Sequence, residues 1–334
     1  MKNKKIYSHG KLLLSGEYVV LDGAISLAIP TKYGQSLEVK PINERKLIWQ
    51  SLDDKGNEWF EHTYKFEEIC YPFIYESQIE TYTNAVSKTL LKILFNAIRM
   101  NPSFFSEYLD DYDDNGQKID GKGFRITTKL EFPKNWGLGT SSTLINNIAQ
   151  WTNVDAFNLL EKTFGGSGYD IACAKNNKAI TYQLNSNYNE ILNQVQDDKM
   201  IINEVNFDPS FKEHLYFVHL NKKQNSRDGI KHYHKNKENT QSAIASINTI
   251  TLEMITSKTL EHFQSLMVKH ETIISKITKQ PPVKSILFND FEGAIKSLGA
   301  WGGDFIMVAS KHNPSLYFKD RGYETVIPYS KMAL

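Results

Sequence analysis

The chain has 334 residues, with 39 lysines and arginines against 38 aspartates and glutamates, a formal net charge of +1. Apolar residues at 40% and aromatics at 12% can bury a core, which excludes wholesale disorder. The near-neutral balance removes the simplest case for a nucleic-acid binder, which works through a concentrated basic surface.

At about 150 residues per domain the length predicts two domains. The opening Met1-Lys2-Asn3-Lys4-Lys5 has the charge of a signal sequence, but Ser8, His9, Gly10 and Lys11 interrupt any apolar region after it. Strands are expected over Ile6–Leu14, Ala24–Pro30 and Tyr33–Val39, the last by its alternation, and again over Lys46–Gln50 and Glu58–Phe66. Asn84–Met100 has its apolar residues at helical spacing, with Pro102 just beyond its end. Its apolar stretch Leu90–Ile98 is broken by Lys92 and Asn96, far short of the 20 or so residues that span a bilayer. A cytoplasmic protein without a membrane or nucleic-acid partner is expected.

Tyr108–Lys122 reads as a polar, acidic loop. Asp111, Asp113, Asn115 and Gly116 match the first half of a calcium loop, but Lys122 stands where the bidentate glutamate is needed. Gly123–Phe132 reads as a strand, and Thr143–Trp151 and Val154–Phe164 as helices, the second capped by Asn153. Strands follow at Lys178–Leu184 and His214–Leu220. The polar stretch Asn185–Asp198 between them marks the domain boundary, giving domains 1–190 and 191–334. Helical patterns fill Asn239–Ser257, Leu260–Thr278 and Val283–Leu298, and strands close the chain at Asp304–Ala309 and Tyr323–Ile327. Blocks of strands and helices without a repeating βαβ unit indicate the α+β class. Cys70 and Cys173 make neither a zinc pattern nor a disulfide framework. His232 and His234 are two residues apart, with no third ligand to make a metal site.

Four segments carry chemistry. Gly137-Leu138-Gly139-Thr140-Ser141-Ser142 follows a strand and opens a helix. Glycines there let backbone approach a ligand closely, and hydroxyl residues at a helix N-terminus suit a phosphate chain and its magnesium ion. The same residues also fit a plain glycine turn with a Ser/Thr cap. It is neither a Walker A loop, lacking its lysine, nor a dinucleotide fingerprint, because Ser142 replaces the third glycine. Ser167-Gly168-Tyr169-Asp170 places a carboxylate in a glycine-rich turn, where it can take a proton from a substrate hydroxyl or simply cap a turn. Gly299-Ala300-Trp301-Gly302-Gly303-Asp304 is a glycine loop between a helix and a strand. Lys11, on an otherwise apolar strand, needs a partner such as a phosphate, or solvent at a sheet edge.

Taken in order, these segments resemble the GHMP kinase family, from Ser8 to about Ala309. The Gly137–Ser142 segment is similar to the family's G-L-G-S-S loop, Ser167–Asp170 to its S-G-x-D motif, and Gly299–Asp304 to its C-terminal glycine motif. Gly10-Lys11-Leu12, Gly16-Glu17-Tyr18-Val19-Val20-Leu21 and Asp304 resemble the phosphomevalonate kinase branch most. Trp301 in place of a glycine, Thr140 in place of serine and Gly166 in place of proline are departures.

The resemblance implies an α+β, two-domain GHMP kinase fold with the active site in the interdomain cleft and ATP binding in the N-terminal domain. It implies an enzyme using ATP and Mg2+ to phosphorylate phosphomevalonate or a similar small molecule, as a monomer or homodimer. Gly137, Leu138, Gly139, Thr140, Ser141 and Ser142 would hold the phosphates, and Ser141 with Glu161 the magnesium. Asp170 would be the base or would orient the acceptor. Lys11 would hold Asp170 ionised or contact the transferred group. Glu17, Ser167, Gly168, Gly299, Ala300, Trp301, Gly302 and Gly303 would meet the acceptor. Alternatives are mevalonate kinase, another member including diphosphomevalonate decarboxylase, or a catalytically inactive ligand-binding relative.

Overall fold

The computed structural model describes residues 3–70, 84–104, 122–185, 199–238 and 240–334. Residues 108–121 of the acidic loop, with its calcium-like half-motif, and residues 186–198 of the expected boundary lie outside the described residues. The chain runs through β1 (Lys4–Ser15), β2 (Ser26–Ile42), β3 (Lys46–Leu52), β4 (Glu58–Lys65), α1 (Phe66–Cys70), α2 (Ala85–Met100) and β5 (Gly123–Leu130). Next come α3 (Thr140–Thr152), α4 (Ala156–Thr163), α5 (Tyr169–Lys175), β6 (Ile180–Leu184), β7 (Met200–Glu204) and β8 (Leu215–His219). The remainder is α6 (Ser226–Asn236), α7 (Gln241–Thr256), α8 (Leu260–Thr278), α9 (Val283–Leu287), β9 (Ala294–Ser297), β10 (Phe305–Ala309), α10 (Ser315–Lys319), β11 (Val326–Pro328) and α11 (Tyr329–Met332).

The α+β class expected from the sequence holds, with several local corrections. The two runs on either side of Pro30 form the single strand β2, because proline tolerates extended backbone. Asn153 does not cap the second of the paired helices. It lies in the left-handed region (φ 53°) and closes α3, while the Asp155 side chain accepts from the Asn158 N–H at 2.8 Å and starts α4. The helix expected over Val283–Leu298 stops at Leu287. Its second half is strand β9, all four residues of which are buried. Helix α6 and strand β7 were not expected: α6 is polar nearly throughout, and the apolar residues of β7 are the short run Met200-Ile201-Ile202 with no alternation.

The chain forms two compact units, each made of separated segments. The first holds residues 1–9, 33–134 and 139–175, and the second 10–32, 135–138 and 176–334. Strands β1 and β2 contribute to both.

In the first unit the strands run β4-β3-β5-β2, with β3 parallel to β5 and the other pairs antiparallel. Helices α2 to α5 pack with the sheet around Trp49, Leu91, Phe124, Ile145, Ile148 and Trp151. A buried polar network fixes α3. Asn146 donates to Ser8 Oγ (2.8 Å), Ser8 donates to Asn147 (2.8 Å), and Asn147 donates to the Gln35 carbonyl (2.9 Å). Satisfied bonds of this kind set the helix in one register, because a slip would strand buried amides.

In the second unit β11-β8-β10-β9 form an antiparallel sheet. β6 lies between β7 and the Ser26–Ala28 part of β2. Helix α8 packs on β9 with its Phe263, Leu266, Met267 and Ile274 buried. Among the described residues no helix is long and apolar enough to cross a membrane.

Candidate active site

The turn before α3 is built by two glycines in the left-handed region, Gly137 (φ 66°) and Gly139 (φ 93°). An L side chain is strained at either position. Between them Leu138 is fully buried, and its carbonyl accepts from the Lys11 N–H at 2.9 Å. Upstream, the Asn135 carbonyl meets His219 Nε2 at 3.1 Å and Trp136 packs edge-on against Phe305. The turn is thus held from both sides.

Helix α3 begins at Thr140, three residues earlier than the apolar pattern suggests, and its cap is Gly139, with no side-chain capping bond. The alternative of a Ser/Thr-capped turn is therefore not what forms. Ser142 and Thr143 turn inward, donating to the Gly139 carbonyl at 2.9 and 3.1 Å, and Thr143 also donates to Gln35 at 2.7 Å. Thr140 is half-exposed and Ser141 exposed. The positive end of a 13-residue helix is left with first-turn N–H groups that no side chain caps and an exposed hydroxyl beside them. That arrangement suits a phosphate group.

Asp170 stands in the first turn of the short helix α5, which the sequence reading treated as a turn. Gly168 (φ 88°) precedes it, and the Gly168 carbonyl accepts from the Ala172 N–H at 3.0 Å. The half-buried carboxylate accepts from the Ile171 N–H at 3.1 Å. Helix α5 packs on α3, with Ile171 in the same core as Ile145 and Ile148. Ser167 is half-buried on the approach to α5, and Glu161 is exposed on α4.

The Gly299–Gly303 loop joins β9 to β10, so it is a strand-to-strand connection rather than a helix-to-strand one. Trp301, the departure from the glycine pattern, anchors it. Its ring is buried with Tyr18, Val19, Tyr233, Ile247 and Ile274, and its backbone N–H donates to the Tyr18 hydroxyl at 3.0 Å. Tyr18 itself sits at φ 62° and stacks on Tyr233, 5.5 Å between centroids. The Tyr233 hydroxyl donates to Asp22 at 2.5 Å, and Lys237 pairs with Asp22 at 2.6 Å. Tyr18→Phe keeps the stack and removes only the acceptor, leaving the buried Trp301 N–H unsatisfied. The expected result is a loss of about 1–3 kcal/mol in urea unfolding and faster hydrogen exchange at the Trp301 amide. An unchanged exchange rate at that amide would refute the tether.

Beneath this loop lies a fully buried charge cluster. Lys296 on β9 donates to Glu17 and to the Ser297 carbonyl (2.9 Å). His270 Nε2 accepts from the Gly16 N–H at 3.0 Å and lies 3.2 Å from Glu17. That nitrogen is therefore unprotonated and the ring neutral, in keeping with the burial that holds His270 well below the usual histidine range. Ser297 donates to Glu271 at 3.3 Å. Burial pushes Glu271 up to about 8, and lifts Glu17 as well against the pull of Lys296. Glu17, expected at the acceptor, has its carboxylate engaged with this lysine. The signal for the cluster was absent from the sequence, since its partners come from the turn after β1, from α8 and from β9.

Asp304 was expected only as the last residue of the glycine motif. It is a non-glycine residue at φ 52°, and its carboxyl group lies against Gly137. The Gln224 N–H donates to it at 3.2 Å. Its own N–H donates to the Lys222 carbonyl at 2.7 Å, and its carbonyl accepts from the Leu220 N–H at 2.8 Å. Burial raises its pKa, while that bond and the charges of Lys11, His219 and Lys223 pull the other way.

His232, on α6, sits 2.8 Å from the Thr278 carbonyl and near Asn236, a structural contact.

Among solved structures, the chain is similar to the mevalonate kinase of Methanococcus jannaschii, with a TM-score of 0.65 at 17% identity over 97% of this chain and 96% of that one. It is similar to the Streptococcus pneumoniae phosphomevalonate kinase in complex with phosphomevalonate and AMPPNP, with a TM-score of 0.61 at 15% identity, covering 99% and 98%. A galactokinase from Lactococcus lactis complexed with galactose follows at 0.60 and 13%, covering 98% and 94%. No protein-family model and no curated protein matches the sequence.

Proposed function

We propose that this chain, whose fold is that of the GHMP kinases, transfers the γ-phosphoryl group of ATP to phosphomevalonate or a similar small acceptor. The observation that carries the reading is the Gly137–Ser142 turn, where two left-handed glycines lead into a helix whose N-terminus has no side-chain cap. Phosphoryl transfer asks little covalent work of a protein. It asks for in-line placement and neutralisation of charge spread over the phosphoryl oxygens.

In this reading the backbone N–H groups of Gly137, Leu138, Gly139, Thr140, Ser141 and Ser142 hold the phosphates. Lys11, whose backbone is bonded to Leu138, faces the transferred group. Asp170 accepts the acceptor's proton or orients it. Ser167, Gly168 and the Gly299–Gly303 loop contact the acceptor. Magnesium fits the exposed Ser141 hydroxyl, with Glu161 proposed as a carboxylate partner. Among the described residues no three His, Cys, Asp or Glu side chains gather into a ready-made cage. Magnesium commonly relies on one or two carboxylates plus substrate phosphates, so the donor set is compatible with it. Bound there, the ion would neutralise phosphate charge.

An anionic acceptor is favoured by the exposed Lys222, whose carbonyl is bonded to Asp304, and by the exposed Arg227 in the first turn of α6. The Glu17–Leu21 and Asp304 residues, shared with the phosphomevalonate branch, point the same way. The test is an acceptor panel with a coupled ADP assay. ADP with phosphomevalonate and little with mevalonate, galactose or homoserine is the expected outcome. ADP with mevalonate instead makes the acceptor an alcohol, and carbon dioxide release with the diphosphate makes the enzyme a decarboxylase. If no acceptor yields ADP while ATP still raises the melting temperature, the chain binds without catalysing.

A further inference from the structure

Asp304 has no part in phosphoryl transfer as assigned above, yet the chain is strained to hold it. A non-glycine residue in the left-handed region is disfavoured and persists only where its surroundings fix it. Two backbone bonds, to Lys222 and Leu220, do so here, with a third from the Gln224 N–H to the carboxyl group. They press the carboxyl group onto the first glycine of the turn. A Cβ on Gly137 would fall 2.3 Å from the Asp304 Cγ and 2.4 Å from its Oδ2.

The Gln224 N–H bond alone does not explain an aspartate, because asparagine accepts it equally well. What asparagine lacks is a charge for the neighbouring lysines: Lys223 stands between Lys222 and Gln224, both bonded to Asp304, and Lys11 is bonded through its N–H to Leu138, next to the Gly137 that the carboxyl group touches. A carboxylate beside the turn is also the wrong sign for a site that takes phosphates, unless it has a task before they arrive.

We propose that Asp304 is a positioning residue that acts as a stand-in anion: its carboxylate holds Lys11 and Lys223 beside Gly137 in the nucleotide-free protein and yields them to the incoming polyphosphate. The proposal rests on the reading of the turn as a polyphosphate site. Once the lysines turn to the phosphates, the carboxylate faces like charge without its counter-ions and takes up a proton from solvent. Burial already moves it in that direction.

The experiment is calorimetry of ADP and of a non-hydrolysable ATP analogue at pH 6, in buffers of different ionisation enthalpy, for wild type and Asp304→Asn. Comparing the two cancels protons exchanged by the nucleotide. Wild type is expected to take up more protons than Asp304→Asn, and the variant to bind nucleotide at least as tightly. Its kcat falls about tenfold to a hundredfold, because Lys11 is no longer placed in advance, while KM for ATP does not rise. Asp304→Gly, which relieves the backbone strain, should show the same pattern and guards against a folding defect in the first variant. Equal proton uptake and equal kcat in all three proteins overturn the stand-in role and leave the kinase reading intact. If wild type binds neither nucleotide, the polyphosphate site itself is refuted, and this proposal with it.

Discussion

Asp170→Asn is expected to lower kcat by about 10²–10⁴-fold with an alcohol acceptor such as mevalonate, the range for losing a general base. With phosphomevalonate the loss is expected to be much smaller. An alcohol must lose its proton as it attacks, whereas a phosphate monoester has its second pKa near 6 and is largely dianionic at pH 7.5. For that acceptor Asp170 would only orient the attacking oxygen. Asparagine keeps an Oδ1 to accept from the Ile171 N–H, so the first turn of α5 survives the exchange. The measurement is kcat and KM for both acceptors at pH 7.5. A change confined to KM with every acceptor removes Asp170 from the chemistry. Equal large losses with both acceptors would instead give it a role in stabilising the transferred group.

Where a local rule decides the outcome, the sequence carries it. Helix α8 spans Leu260–Thr278 as expected, because Thr259 caps it by accepting from the His262 N–H and its apolar residues recur on one face. Asn84 caps α2 in the same way. The Ala294–Ser297 segment misled for a physical reason. A strand buried on both faces has no alternation, and Leu287, Phe291, Ala294, Ile295 and Leu298 recur at three- and four-residue intervals that read as more helix. The glycines of the Gly137–Gly139 turn were legible, since a φ requirement belongs to the residue itself, whereas the short helix that carries Asp170 was not, because Gly168 and its neighbours read as a turn. Asp304, Trp301 and Lys296 were not, because their roles depend on distant partners. Lys296 and Glu17 are 279 residues apart, and no spacing rule joins them. Trp301 looked like damage to a glycine loop, and only the Tyr18–Tyr233 stack shows that it is the loop's anchor.

Lys296→Met is expected to destabilise the protein by about 3–5 kcal/mol at pH 7.5, because it leaves the Glu17 carboxylate buried with no cation. Glu271→Gln should do the reverse. In the folded protein Glu271 titrates at about 8, against 4.5 for the ordinary side chain. Between those values the unfolded chain releases the proton and the folded chain keeps it, so folding is opposed increasingly as pH rises through that window. At pH 7 the opposition amounts to roughly 3 kcal/mol, at about 1.4 kcal/mol per unit. Glutamine carries no such linkage. Its advantage over wild type should be small at pH 5, grow to pH 8 and then level off. Lys296→Met must show the opposite trend, mild at pH 5 where both carboxyls can be neutral and severe at pH 8. Urea midpoints at pH 5, 6.5 and 8 separate the two. Adding Glu17→Gln to Lys296→Met removes the stranded charge and should recover a large part of the loss. If Lys296→Met stays within 1 kcal/mol of wild type at pH 8, the buried ammonium is not what makes the cluster tolerable. The loop that follows β9 must then be held by the Tyr18–Trp301 contact and the Asp304 bonds rather than by the cluster.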